Sequence, residues 1–196
     1  MASLHSGPNA NHNQLTSVRA VSVAEEMNAS CRNTMEDAHV TIDNYNGHAR
    51  QGYFAVYDGH GGRGVVEFIE KVLHINLQQE LEEAKTSNRS VEECIKSSFL
   101  LTDIQSKEEN LLMSGSTAVV CYIQVLEDDA TRVLHTANCG DARAVLMRGE
   151  KAIRLTVGFL LLCDILNLYR YIDNRHLLYR YSFYCQFVVF FNWPVL

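Results

Sequence analysis

Residues 52–62, GYFAVYDGHGG, place a short apolar strand directly before an acidic residue, a histidine and several glycines. The alternating apolar and aromatic side chains of residues 52–57 predict a buried strand. Asp58 then lies where the strand ends, and the following glycines allow a close approach to a bound ion, with the Gly59 carbonyl as a further ligand. Oxygen donors of this kind suit magnesium or manganese. The stretch predicts a metal ligand and a proton carrier, His60, at one edge of a sheet.

A second polar group precedes this strand in the chain. Residues 32–39, RNTMEDAH, contain Arg32 and the adjacent carboxylates Glu36 and Asp37. The planar guanidinium of an arginine can donate two parallel hydrogen bonds to a phosphoryl group. An arginine, three carboxylates and a histidine in so short a span indicate metal-assisted chemistry on phosphate.

Each of these residues also has an ordinary structural explanation. Asp58 would cap a helix that starts near Gly62, because aspartate is common at helix N-caps. His60 would be an exposed turn histidine, and Arg32 would pair with a carboxylate of its own loop. The combination of the residues, rather than any one of them, favours a functional site.

Composition restricts the function classes. The chain has 196 residues, a net charge of −6 and 47% hydrophobic residues, which fits one globular domain. The acidic balance and the lack of clustered basic residues argue against nucleic-acid binding. The N-terminal sequence is polar and has no signal-peptide pattern, and the scattered cysteines suit a reducing compartment. We therefore expect a cytoplasmic or nuclear protein.

The periodicity of the sequence predicts strands, then two helices, then strands again. An amphipathic helix starts at Val65 and runs to about residue 85, and a second helix starts near Ser90, where Glu93 completes a capping box. Because strands and helices do not alternate, an α+β fold is favoured over a parallel sheet. The predicted strands are residues 18–23, 39–45, 52–57, 114–126, 132–138, 142–147 and 152–155.

Four segments resemble motifs of one known family. Residues 32–39 and 57–62 resemble the two N-terminal signatures of the metal-dependent serine/threonine protein phosphatases of type 2C. Residues 114–118, SGSTA, are similar to the strand-entry motif of that family, and residues 138–144, NCGDARA, to its Gly-Asp-Ser-Arg segment, with alanine in place of serine. The motifs follow the family order, and the resemblance covers residues 18–156.

The resemblance implies a cofactor of two Mg²⁺ or Mn²⁺ ions. Asp58 would bridge the ions, the Gly59 carbonyl and Glu36 would be further ligands, and Asp37 would support the cluster. Asp141 matches an aspartate that helps to hold an additional, weaker metal in the family.

The implied reaction is the hydrolysis of phosphoserine and phosphothreonine in protein partners. A hydroxide held between the two ions would attack phosphorus in line. Arg32 would hold the phosphoryl oxygens, and His60 would protonate the leaving oxygen.

The resemblance also implies a four-layer αββα sandwich. Family domains continue for about as long again after the Gly-Asp-Ser-Arg segment and supply two further aspartates, whose motifs do not occur here. We therefore expect a truncated sandwich with incomplete sheets and weak or absent turnover. We also expect a monomer that tends to aggregate through exposed sheet edges.

The two ends of the chain differ from the part between them. Residues 1–17 are predicted to be a flexible segment. Residues 157–196 contain eleven aromatic residues, against seven in residues 1–156, and are interpreted as an unrelated alternative or read-through terminus. Charged residues interrupt their apolar runs, so no stretch of roughly 18 apolar residues is available for a membrane span.

Two other functions remain open at this point. Residues 59–64, GHGGRG, satisfy the dinucleotide-binding pattern G-x-G-x-x-G after a strand. This function is less favoured for two reasons. Asp58 would place a negative charge beside a pyrophosphate, and the sequence lacks a second strand that ends in an acidic residue. The other alternative is a non-catalytic phosphoprotein-binding module that uses Arg32 as its anchor.

Overall fold

The structure is a computed structural model that describes residues 15–129, 131–148 and 151–156 with their side chains. It also describes the backbone of three strands between residues 167 and 192. Most of the predicted flexible segment, residues 1–14, lies outside the described residues, as does a large part of the aromatic-rich end.

The order of the elements confirms an α+β fold. Strands β1 and β2 are joined through a short 3₁₀ turn at Tyr45–Gly47 and are followed by two long helices. The remaining described elements are strands. The bounds are β1 (Asp37–Asp43), β2 (Gly52–His60), α1 (Gly64–Ser87), α2 (Val91–Glu108), β3 (Gly115–Ser116), β4 (Ala118–Val125), β5 (Arg132–Cys139), β6 (Val145–Arg148), β7 (Lys151–Arg154), β8 (Asn167–Asp173), β9 (Leu178–Ser182) and β10 (Val188–Asn192).

The described strands form two antiparallel sheets. The first sheet has the order β1-β2-β4-β5-β8, and β3 pairs with the end of β2. The second has the order β10-β9-β6-β7. Because neighbouring strands are antiparallel, each end of the first sheet collects the beginning of one strand and the end of the next.

Both faces of the first sheet are buried. On β4, Val119 and Cys121 belong to the hydrophobic cluster shared with β6 of the second sheet, whereas Val120 and Tyr122 belong to the cluster under α1 and α2. This alternation follows from the two-residue period of a strand. Two sheets and one helical layer are thus present, and a second helical layer is not among the described residues, so the four-layer sandwich stays a prediction.

The two helices pack side by side on the sheet. The α2 cap was predicted correctly: the Ser90 hydroxyl accepts a hydrogen bond from the Glu93 amide at 3.2 Å, and the Glu93 carboxylate accepts one from the Ser90 amide at 2.7 Å. Between the helices, the buried Asn76 amide donates to Thr102 and Gln105 at 2.8 Å each. Neither described helix is long and apolar enough to cross a membrane.

The predicted strand at residues 18–23 is wrong. Val18 is buried, but the rest of the segment is largely exposed and adopts no strand. The segment is instead attached at its start, where the Ser17 amide donates to the Asp43 carboxylate at 2.8 Å and Arg132 donates to the Ser17 carbonyl. An alternating pattern predicts a strand only if another strand lies alongside to accept its hydrogen bonds, and no described strand does so here.

Several strand boundaries also differ from the prediction, and two of the differences affect the site. Strand β1 starts at Asp37 rather than residue 39, and β2 continues to His60 rather than ending at residue 57. Glycine and aspartate disfavour strands locally, but pairing with β1 and β3 satisfies the backbone groups of residues 58–60. In addition, the single strand predicted at residues 114–126 is divided into β3 and β4.

The backbone of the aromatic-rich segment continues both sheets. Strand β8 pairs with β5 along seven residues, and β9 meets β6 at the partners Leu146 and Tyr181. The edge of β5 is therefore paired with another strand, which removes one of the exposed edges that the sequence predicted.

The cap of α2 gives a stability prediction. Ser90→Ala removes the acceptor for the Glu93 amide and should lower the free energy of unfolding by about 1 kcal/mol. Ser90→Gly should lower the free energy of unfolding by only a few tenths of a kcal/mol (~0.3), because glycine is itself tolerated at N-caps. Urea denaturation followed by circular dichroism measures both variants, and equal losses would contradict the capping role.

Candidate functional site

The four sequence motifs meet at one end of the first sheet. Strands β1 and β4 begin at this end, and β2 and β5 finish there, because the four strands are successive antiparallel neighbours. The motif residues, which span more than a hundred positions of the chain, therefore lie side by side at one edge. We call this edge the site end of the sheet.

Asp37 and Asp58 lie directly opposite each other at the site end. They are register partners of β1 and β2, so their side chains are on the same face of the sheet. Burial raises the pKa of the Asp37 carboxyl to about 6, and the charge of Asp58 and a hydrogen bond with its side chain add to this rise. The positive charge of Arg32 acts in the opposite direction, which places this exposed arginine near the pair.

Gly59 permits the close approach of the two strands. Its amide donates a hydrogen bond to the Glu36 carbonyl at 3.1 Å. A Cβ atom at position 59 would collide with that same carbonyl oxygen and would lie 3.0 Å from the Cβ of Val66. The Glu36 side chain accepts a hydrogen bond from the Thr34 hydroxyl at 3.1 Å. The glycine is thus needed for backbone packing, and its role as a ligand stays a prediction.

His60 is exposed, and its ring lies over Gly115. The two residues are register partners of β2 and β3, and a Cβ at position 115 would lie 2.6 Å from Cε1 and 2.7 Å from Nε2 of the histidine. The adjacent Ser114 hydroxyl accepts a hydrogen bond from the Val65 amide at 3.1 Å, at the start of α1. The sequence motif at residues 114–118 therefore supports both the histidine and the helix start, a role that sequence reasoning missed.

The helix-cap explanation for Asp58 is wrong. Helix α1 begins at Gly64 after Arg63, whereas Asp58 belongs to β2. Arg63 has a function that the sequence did not predict: its guanidinium donates to the Met35 carbonyl and to the Glu67 carboxylate. These bonds attach the loop before β1 to the start of α1. No pattern in the sequence indicated that Arg63 forms these contacts.

Neither Glu36 nor Asp141, which was predicted for an additional metal position, forms a group of three with the aspartate pair. Asp141 is exposed in the turn after β5, which is two strand spacings, or about 10 Å, from β2. Within the described part of the chain, no three residues of the types His, Cys, Asp and Glu are grouped closely enough to hold one ion together. The structure therefore brings Asp37 and Asp58 together and leaves Glu36 and Asp141 outside this pair.

The chemistry of the aspartate pair fits a hard divalent cation. Two carboxylates that face each other in a partly buried position repel when both are charged, and this repulsion adds to burial, the larger cause of the raised pKa of Asp37. A bound cation relieves the repulsion, and carboxylate oxygens are the donors that Mg²⁺ and Mn²⁺ prefer.

Comparison with known proteins assigns the family. The sequence model of the family "Protein phosphatase 2C" matches residues 21–159, which is more than half of the chain. This chain belongs to the protein phosphatase 2C family. All four motifs of the site end lie within the matched region, whereas almost all of the aromatic-rich segment lies beyond it.

Individual relatives agree with this assignment. Protein phosphatase 2C homolog 1 of Saccharomyces cerevisiae is 37% identical over 147 residues, which cover 69% of this chain and 52% of that protein. The protein of the same name from Schizosaccharomyces pombe is 35% identical over 67% of this chain and 38% of its own length. Probable protein phosphatase 2C 2 of Arabidopsis thaliana is 38% identical over 64% of this chain and 31% of its own length. The chain thus spans about a third to a half of the length of these protein phosphatase 2C relatives.

A solved structure supports the fold. A C. elegans sex determining protein superposes with a TM-score of 0.53 at 23% identity, covering 71% of this chain and 34% of that chain. The dinucleotide-binding alternative does not agree with this topology. That fold requires a parallel strand after the helix, whereas β4 is antiparallel to β2.

The aspartate pair predicts the titration of the metal-free protein. In EDTA, the pKa of Asp37 should be about 6 and should fall in Asp58→Asn, which removes the repelling charge, but only part of the way to the ordinary value of 3.8, because the burial that raises it most remains. Because the folded state holds the Asp37 proton more tightly than the unfolded state, stability should decrease as the pH rises from about 4 to about 6. Carbon-13 NMR of the carboxyl groups measures the pKa of Asp37. The same pKa in Asp58→Asn as in the unchanged chain would contradict the interaction between the two aspartates.

Proposed function

We propose that this chain carries the metal-binding and phosphate-binding part of a protein serine/threonine phosphatase active site. The observation that supports the proposal most directly is the Asp37–Asp58 pair at the site end of the sheet. Family membership supplies the reaction class, and the partners would be proteins that carry phosphoserine or phosphothreonine.

The cofactor would be Mg²⁺ or Mn²⁺. Asp58 and Asp37 would hold it, with the Gly59 carbonyl and Glu36 as neighbouring oxygen donors and Asp141 at the more distant position. When bound, such ions neutralise phosphoryl charge and lower the pKa of water. The aspartates and the sheet beneath them fix the position of the phosphate relative to the rest of the site.

Arg32 and His60 would act on the substrate itself. Arg32 is exposed, and its charge acts on Asp37, so its guanidinium can reach a phosphoryl group beside the aspartate pair. His60 is exposed on the neighbouring strand end and would donate a proton to the leaving serine or threonine oxygen. Its ring rests on Gly115, which limits the directions in which it can point.

Turnover by this chain would be weak. Cation affinity rises with the number of charged ligands, and only two carboxylates converge among the described residues. The same observation supports a second candidate function, a non-catalytic module that binds phosphoproteins through Arg32 without hydrolysing them. The two functions share the phosphate site and differ in whether the bound phosphate is released.

The first experiment measures cation binding. Asp58→Asn should abolish Mn²⁺ binding in isothermal titration calorimetry, because it removes one of the two converging charges. Glu82→Gln, which removes an exposed carboxylate of α1, is the matched control and should bind as the unchanged chain does. Equal Mn²⁺ affinity in Asp58→Asn and the control would refute the metal site.

The second experiment separates catalysis from binding. Arg32→Ala should weaken phosphothreonine-peptide binding by roughly tenfold or more, the loss expected for a charge-assisted hydrogen bond to phosphate. Arg32→Lys keeps the charge but not the planar pair of donors and should give an intermediate affinity. Phosphate release in Mn²⁺ then distinguishes the functions: slow, Asp58-dependent release favours the phosphatase, and Arg32-dependent binding without release favours the module.

A further inference from the structure

A cavity of about 720 Å³ lies between α2 and the first sheet, next to the site end. Its volume is in the range of pockets that enclose small ligands, so it has room for more than one peptide side chain. We call this cavity the α2 groove. Its apolar lining comes from both helices and the loop before β3, and it includes Ile69, Leu73, Phe99, Leu100, Leu111 and Leu112.

The α2 groove is continuous with the candidate active site. His60, Gly115 and Ser116 line it together with the apolar residues. The histidine proposed to protonate the leaving oxygen is therefore also a wall of the groove. A polypeptide whose phosphorylated residue lies at the aspartate pair can therefore place its neighbouring residues in the groove.

Part of the apolar lining is exposed to solvent. Leu100 on α2 is 44% exposed, and Leu112 in the following loop is 67% exposed. Single exposed apolar side chains are common, but these two belong to one concave surface. Exposed apolar side chains grouped around a cavity are typical of an interaction surface.

The charges of the α2 groove favour an acidic occupant. Lys107 and Asp103 line it and neutralise each other in an ion pair of 2.7 Å. Lys96 also lines it, and among the side chains described here no carboxylate pairs with this lysine. The groove therefore presents, beside an apolar surface, one lysine that forms no ion pair with a described carboxylate, in a chain whose net charge is −6.

We propose that the α2 groove binds the segment of a phosphoprotein substrate that flanks the phosphorylated residue. A large apolar side chain of that segment enters the cavity, and an acidic side chain pairs with Lys96. The inference rests on the proposed function, since the phosphate site determines where the segment starts. It adds a preference for substrate sequences in which apolar and acidic residues lie near the phosphoserine or phosphothreonine.

The test uses peptides with one non-hydrolysable phosphothreonine analogue and fluorescence polarisation with the full chain in Mg²⁺. One set places leucine at successive positions on either side of the analogue, and the matched set has alanine there. At least one leucine position should raise affinity by roughly tenfold, the effect of burying that side chain. Replacing glutamine by glutamate in the best peptide should raise it by about two- to fivefold.

Variants in the groove, compared with control variants on a distant surface, show which residues cause the leucine and glutamate preferences. Leu100→Asp should abolish the leucine preference, whereas Ile75→Asp, at an exposed position of α1 outside the lining, should leave it unchanged. Lys96→Gln should abolish the glutamate preference, and Lys71→Gln is its matched control on α1. Circular dichroism of all four variants verifies that the fold is retained.

The outcomes distinguish this inference from the proposed function. If Arg32→Ala removes binding but no peptide shows a leucine preference sensitive to Leu100, the groove inference is overturned and the proposed function stands. If binding does not depend on Arg32 at all, the proposed function fails, and the groove inference fails with it. If Leu100→Asp instead converts a dimer to a monomer in sedimentation velocity with no effect on peptides, a second copy of the chain covers the groove and the inference is overturned.

Discussion

The antiparallel register between β1 and β2 is the constraint on which the site depends. It places Asp37 directly opposite Asp58, although like charges in this arrangement destabilise a sheet. A shift of one residue would send one of the two side chains to the opposite face. The unfavourable pairing is therefore maintained by the rest of the strand contacts, and unfavourable local arrangements of this kind concentrate at functional sites.

Backbone packing around the glycines makes this register possible. The Gly59 amide bonds to the Glu36 carbonyl at a separation that leaves no space for a Cβ atom. Gly115 similarly leaves space for the ring of His60. Glycine is required at position 59, where a Cβ atom would meet the backbone, whereas a Cβ atom at position 115 would displace the exposed ring of His60. Gly59, which in the sequence belongs to a pattern like a phosphate-binding loop, thus acts as a spacer between two strands.

The sequence predicted the composition of the site better than its geometry. Local patterns are sufficient for α1, α2 and the Ser90 cap, since these depend on residues a few positions apart. The motif order predicted the family, which the match over residues 21–159 confirmed. The strand predicted at residues 18–23 failed because a strand needs a partner, and partners are determined by the whole chain. The aspartate pair itself depends on register, which no local pattern contains.

Some residues of the candidate site lie on paired strands and one lies on an exposed loop, and this difference affects what each residue can do. Asp37, Asp58 and His60 are on strands, whose positions are fixed by pairing on at least one side. Arg32 is on an exposed loop that reaches the same place because Arg63 holds the Met35 carbonyl against the start of α1. Under the proposed function, an arginine held in this indirect way can adjust to phosphates on different proteins, whereas Asp37 and Asp58 are held opposite each other by strand pairing. On the same proposal, discrimination between substrates comes from surfaces beside the phosphate, and the α2 groove, which shares His60 with the candidate site, is such a surface.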